Sequence, residues 1–199
     1  MPNEATPALR VERHDGGVVL LTLALPDRRN AMTAELTAEW GPTVASLRGD
    51  RSVRCVVVTG EGKAFCAGGD VSWLASEPDA SPADLRDRML PFYTTWLSLR
   101  ALDVPSIAAV NGAAVGAGGA LALSCDIRYA GESAKFTVPF AQLGMAAGMA
   151  TTFLLPEVIG VAAARRWEAL AQPVTLARAA LQEGLAARAA KRPAAFTGS

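Results

Sequence analysis

The sequence predicts an α/β fold built on a parallel sheet, and two observations carry that expectation. The first is the order of elements. Residues 18–25 (VVLLTLAL) read as a strand, 34–49 as a helix and 54–59 (RCVVVT) as another strand. Two parallel strands need such a crossover, so a strand–helix–strand run implies a parallel pair. The second is that two apolar strands each run into a stretch almost without side chains. Residues 105–110 (PSIAAV) stop at Asn111-Gly112 and lead to Gly116-Ala117-Gly118-Gly119, followed by the good helix former Ala120-Leu121-Ala122-Leu123. Val56-Val57-Val58 stops at Thr59-Gly60 and leads into Glu61-Gly62-Lys63-Ala64-Phe65-Cys66-Ala67-Gly68-Gly69-Asp70, read as a small-residue loop.

Taken in order, residues 9–14 and 18–25 form two strands around Asp15-Gly16-Gly17, a hairpin signal. Pro26 to Asn30 is a polar loop carrying Arg28 and Arg29. Thr33 can cap a helix running to about Gly49, which Gly41-Pro42 should kink or break. After Asp70 the chain is loop-like to Pro82. Ser81-Pro82-Ala83-Asp84 then has the marks of a helix start: a cap, a proline in the first turn and an acid at the third position. The helix carries Leu85, Met89, Phe92, Tyr93, Trp96, Leu97 and Leu99, a stripe that suits a core or a pocket wall, and Pro91 should kink it. Residues 127–130 and 135–137 read as short strands, 144–150 as a small-residue segment, and 151–170 as a helix with Pro156 early in it. An Ala/Arg-rich tail follows Gln172.

A bare turn feeding a helix exposes unpaired backbone N–H groups at the positive end of the helix dipole. Negative charge can settle there without steric conflict. The same glycines would also serve if their only task were close helix packing. Two such loops on different strands can each aim one N–H at a common point. That is the geometry of an oxyanion hole, which stabilises a carbonyl oxygen becoming an enolate or a tetrahedral centre.

The chain resembles the crotonase, or enoyl-CoA hydratase/isomerase, superfamily. The resemblance rests on Arg29-Asn30-Ala31-Met32, on AFCAGGD from Ala64 to Asp70, and on the strand–turn–helix ending in Cys125-Asp126-Ile127-Arg128. Ser133-Ala134-Lys135-Phe136, Leu143-Gly144-Met145, Leu154-Leu155-Pro156 and Ile159-Gly160 extend it, so that it runs from about Val18 to Trp167. It implies a crotonase-like ββα spiral fold and an oxyanion hole made by the N–H groups of Gly69 and Ala117 for an acyl-CoA thioester carbonyl. It implies substrate-binding positions at Arg29, Ala31, Ala64, Ala67, Gly68, Asp70, Val71, Gly116, Gly118 and Phe140, with the Pro26–Asn30 loop near the CoA phosphates. Coenzyme A enters as part of the substrate, with no separate cofactor and no metal. The assembly implied is a homotrimer or a dimer of trimers. Residues 1–167 form the core domain and 168–199 a shortened helical tail. Ala169-Leu170-Ala171-Gln172 runs almost directly into 184–198, which resembles the family's extreme C-terminus, so the chain reads as carrying an internal deletion.

Composition narrows the functional class. Of 199 residues, 51% are hydrophobic, ample for a core. The 19 basic and 19 acidic residues cancel and form no block, which argues against a nucleic-acid or anionic-membrane partner. No apolar run reaches membrane-spanning length, and the start, MPNEATPALR, is unlike a signal peptide. The three cysteines, Cys55, Cys66 and Cys125, lack metal-ligand spacing and fit a reducing, cytoplasmic setting.

Hydration or double-bond migration needs groups that move protons. The resemblance puts the two hydratase glutamates at positions occupied here by Ala120 and Phe140, and the aspartate of some isomerases and dehalogenases at Gly148. None of the three can carry a proton. The alternatives are few. Asp70 reads as a turn residue, and Cys66 lacks a histidine partner in its motif. His14 sits beside a hairpin, while Glu77, Asp79 and Asp84 read as loop or cap charges. Gln142, Thr151 and Thr152 can hydrogen-bond but are poor bases. Two functions stay open: an enzyme stabilising a thioester enolate, for which decarboxylation asks less of the side chains than hydration does, and a silent acyl-CoA-binding or partner subunit or truncated inactive paralogue.

Overall fold

The computed structural model describes residues 7–70, 72, 73, 76, 79–140, 143, 145–169, 183 and 186–192, without the side chains of 166–169. Val71, Glu77, Gln142, Gly144 and most of the tail beyond 169 lie outside these.

Strands β1 (Leu9–His14), β2 (Val18–Leu23), β3 (Cys55–Gly60), β5 (Ser106–Val110) and β7 (Ile127–Ala130) form one sheet in that order. β1 and β2 are an antiparallel hairpin, and every other neighbour is parallel. A second sheet is wholly parallel: β4 (Ala64–Cys66), β6 (Ala113–Val115) and β8 (Lys135–Thr137). The helices are α1 (Ala34–Leu47), α2 (Pro82–Leu97), α3 (Ala117–Ser124), α4 (Thr151–Ile159) and α5 (Val161–Ala169). The chain is therefore the α/β protein expected. Among the described residues no helix is long and apolar enough to cross a membrane.

β4 and β6 correct the reading of two strand-to-loop stretches. Each is only three residues long, too short to display a strand period. Their pairing, Ala64 to Ala113 and Cys66 to Ala114, exists only because the larger sheet brings the ends of β3 and β5 side by side. α1 runs unbroken through Gly41-Pro42, against expectation. A proline costs one helical hydrogen bond. Here the buried face Leu36, Trp40, Val44, Leu47 offsets it, with Trp40 stacked on Trp96 of α2 at 4.7 Å between ring centroids. The Trp96 indole N–H also donates to the Thr37 hydroxyl at 3.0 Å. α2 likewise continues through Pro91. The single helix expected over 151–170 divides at Gly160, whose φ of 80° leaves the helical region. The caps read correctly: the Thr33 hydroxyl accepts from the Leu36 amide, and Ser81 and Asp84 close a reciprocal capping box.

α3 is the hub. All eight of its residues are buried. A helix this short and apolar on every side fits only where neighbours approach its backbone. A methyl on Gly118 would fall 2.2 Å from the Cys66 carbonyl oxygen of β4, and one on Gly119 would touch the Ala114 oxygen of β6 at 3.4 Å.

Candidate active site

The loop after β2 is shaped by two residues with left-handed backbone, Arg29 (φ 53°) and Asn30 (φ 55°). Asn30 is fully buried. Its Oδ1 accepts from the Leu25 amide at 3.0 Å, while its Nδ2 donates to the carbonyls of Glu61 at 2.9 Å and Ala64 at 2.8 Å. Asn111 closes the same turn from β5: its Oδ1 accepts from the Gly60 amide, and its Nδ2 donates to the Gly62 carbonyl. The two asparagines hold the β3–β4 connection between them.

The Gly68-Gly69 loop is fixed on both sides. The Ala67 amide donates to the Arg29 carbonyl, and the Met32 amide to the Gly68 carbonyl. Gly68 has φ 88°, and a side chain there would meet the Val115 carbonyl oxygen at 2.5 Å and the Ala117 nitrogen at 3.2 Å. Only glycine serves at such a position. The β4 loop thus lies directly against the start of α3. Gly116, with φ 55°, donates its amide to Thr137 of β8 and turns the chain into that helix.

Both loops open on one small cavity of about 60 Å³. Ala67, Gly68, Gly69, Gly116 and Ala117 line its floor, Phe140 packs over Gly116, and Trp73, Phe92 and Tyr93 line it further out. The amides of Gly69 and Ala117 have no backbone partner among the described residues, because the Met32–Gly69 bridge is made through the Gly68 carbonyl and Ala117 is the first residue of its helix. Two unpaired donors at one apolar wall can take negative charge on an oxygen placed between them.

The other expected positions serve around this floor. Ala64 is buried in β4, where its carbonyl accepts from Asn30. Gly118 packs on Cys66 behind the cavity. Arg29 is exposed, and Ala31 is half-buried beside Met32. Asp70 binds Arg28 at 2.6 Å and accepts from the Ser72 amide and hydroxyl. Burial alone would raise its pKa, but the Ser72 hydrogen bonds and the Arg28 charge outweigh burial and hold the carboxyl below its usual range. It is a loop anchor, ionised at neutral pH. Burial pushes the Cys66 thiol up to about 12, which leaves it unreactive. His14 is exposed. Asp84 is held in its capping box, and the Thr151 hydroxyl donates to the Gly148 carbonyl.

Of the three positions that the resemblance assigns to proton carriers, Ala120 is fully buried and is not among the cavity's lining residues, and Phe140 and Gly148 bear no titratable group. Among the described residues no carboxylate or histidine lines the cavity, and no group of acids, cysteines and histidines could hold a metal ion. Among the wall residues that sequence reasoning did not name as functional candidates, Trp73, Tyr93 and Arg188 carry polar groups. Tyr93 was visible only as one member of an apolar helical stripe. Arg188 sits in a tail whose return to the cavity leaves no local signal.

Comparison with known proteins fits this geometry. The enoyl-CoA hydratase/isomerase family model matches residues 13–194. The chain belongs to that family. It is 44% identical over 157 residues to Probable enoyl-CoA hydratase EchA14 of Mycobacterium tuberculosis, a match covering 79% of this chain and 59% of that protein. It is 40% identical over 149 residues to 1,2-epoxyphenylacetyl-CoA isomerase of Escherichia coli, covering 74% of this chain and 57% of that one. Among solved structures, enoyl-CoA hydratase from Bacillus anthracis superposes with a TM-score of 0.74 at 28% identity, over 92% of this chain and 76% of that chain. A Thermobifida fusca structure solved in complex with CoA superposes with a TM-score of 0.72 at 33% identity, over 93% and 78%. The chain spans somewhat under three-fifths of the length of the two curated relatives just named.

Proposed function

We propose that the chain binds an acyl-CoA thioester with its carbonyl oxygen between the amides of Gly69 and Ala117, and that these stabilise the enolate as charge moves onto that oxygen. The observation that carries this reading is that the amides of Gly69 and Ala117, which follow two separate strands, line one cavity with no backbone partner among the described residues. Family membership and the CoA-bound Thermobifida fusca structure support it. Hydration by two carboxylates lacks its usual proton carriers, since Ala120, Phe140 and Gly148 stand at the positions in question. That same vacancy favours a second reading, a chain that binds thioesters without turning them over.

Calorimetric titration with CoA and acyl-CoA, with ultraviolet assays on crotonyl-CoA, 3-enoyl-CoA and malonyl-type thioesters, separates the two. Turnover of any of them supports the enzyme, and binding without turnover selects the silent chain. Ala117→Pro is the sharper test. Proline suits the first position of a helix, so the fold should persist while the donor disappears. Losing one such donor should lower the rate about a hundredfold or more. An unchanged rate would show that this amide is not used.

A further inference from the structure

Tyr93 lines the cavity, and its hydroxyl is left unused by the reading above. Its ring comes from α2, half-buried between Phe92 and the 145–149 segment, with the Phe92 ring centroid 5.7 Å away. The hydroxyl has no hydrogen-bond partner among the described residues, and it is not sealed from the cavity. Its position is tied to Gly148. A methyl at Gly148 would fall 2.3 Å from the Tyr93 oxygen. The tyrosine therefore occupies the space that any larger residue at position 148 would fill. Where the resemblance locates an acidic side chain, this chain has an empty glycine and a phenol reaching into the gap.

We propose that the Tyr93 hydroxyl donates the proton that quenches a thioester enolate at its α-carbon, and that this enolate arises by loss of carbon dioxide from a 2-carboxyacyl thioester. The inference rests on the acyl-CoA reading of the preceding section. Three observations select decarboxylation over proton abstraction. First, the described wall holds no base to remove an α-proton. Second, burial raises the phenol's pKa above its usual value, so at neutral pH it is a donor. Third, Arg188 is the cavity's one cation among the described lining residues, which suits an acyl group bearing a carboxylate.

The step balances without a further reagent. The bond from the α-carbon to the carboxylate breaks and carbon dioxide leaves. The electron pair passes into the enolate, whose oxygen lies against the Gly69 and Ala117 amides. A new C–H bond forms as the Tyr93 O–H breaks, and the phenolate regains its proton from water. One proton is consumed for each carbon dioxide released.

The test uses the full chain with methylmalonyl-CoA in D2O, following carbon dioxide release and the stereochemistry of deuterium at the α-carbon. Wild type should release carbon dioxide and place one deuterium on one face. Tyr93→Phe keeps the ring and should lower kcat about a hundredfold, the low end for loss of a general acid, with thioester Kd unchanged and deuterium on both faces. Gly148→Ala, which displaces the hydroxyl without removing it, should show the same loss. Wild-type rate and stereochemistry in Tyr93→Phe would overturn the inference. So would a wild-type protein that binds thioesters but hydrates crotonyl-CoA and leaves methylmalonyl-CoA intact, though the acyl-CoA reading would then stand. Failure to bind any thioester would bring down that reading as well.

Discussion

The glycines of the two bare loops do different work, and the difference is decided by what each backbone meets. Gly68 and Gly116 have positive φ and set the turns. Gly118 is needed because the Cys66 carbonyl lies where a side chain would begin. Gly69 has open space around it, so no neighbour requires a glycine there. Gly118→Ala therefore should destabilise the protein even though alanine is the better helix former. Overpacking of this kind costs about 1–3 kcal/mol, against a gain of at most about 1 kcal/mol from helix propensity. A lowered urea midpoint with an unchanged m-value is the expected result, and an equal or higher midpoint would show that β4 can move away from α3. Asn30 makes the same point from the other side. The sequence marks it as part of the Arg29-Asn30-Ala31-Met32 match. Its three hydrogen bonds to main chain up to 34 residues away emerge only once the loop is folded.

At the scale of elements, α3 is held by its ends as well as by its apolar packing. Past its C-terminus, Asp126 accepts from the Ser106 amide at 2.8 Å and the Ser106 hydroxyl at 2.7 Å, tying the entry of β7 to the start of β5. Arg128 donates to the carbonyls of Leu123 and Cys125, orphaned at the helix end. Burial alone would raise the Asp126 pKa, but the two Ser106 hydrogen bonds outweigh it and hold the carboxyl below its usual range. A carboxyl whose folded pKa is depressed stabilises the fold above its unfolded value, about 4, and that stabilisation is lost as pH falls through the folded pKa. The wild type should therefore lose stability as pH drops below about 4. Ser106→Ala should be less stable near pH 7 and lose less on acidification. Thermal unfolding across that range reads the difference, and parallel curves for the two proteins would exclude the tie. Neither β4 nor β6 was legible as a strand, because three-residue segments take their conformation from the partner they pair with and not from their own pattern.

At the scale of the whole molecule, Val11 on β1 and Leu85 and Leu90 on α2 are exposed apolar side chains that stand apart, and the other large ones among the described residues fall into two groups. Ile127 and Tyr129 stand on edge strand β7, Tyr129 with 69% of its surface exposed, and Phe153, Val158, Ile159 and Val161 stand on α4 and the start of α5. A long-lived exposed edge invites pairing or cover. We read these surfaces, with the family resemblance, as places where copies of this chain meet in a homotrimer or a dimer of trimers. Light scattering should give a mass three or six times that of one 20.6 kDa chain. A single-chain mass at micromolar concentration would refute the assembly and leave the cavity assignment untouched.

By itself the sequence determined the α/β class, the hairpin, the caps at Thr33 and Ser81, the two glycine loops and the family. Each of these is written in local chemistry: a period, a turn residue, a hydroxyl before a helix, a spacing. Only the tertiary structure decided that prolines 42 and 91 remain inside their helices, that a second sheet joins the two loops, and that Tyr93 stands in the space left by Gly148. These outcomes depend on contacts between residues tens of positions apart. Whether a proline breaks a helix, or a tyrosine serves a core or a cavity, is set by the free energy of neighbours that no local window contains.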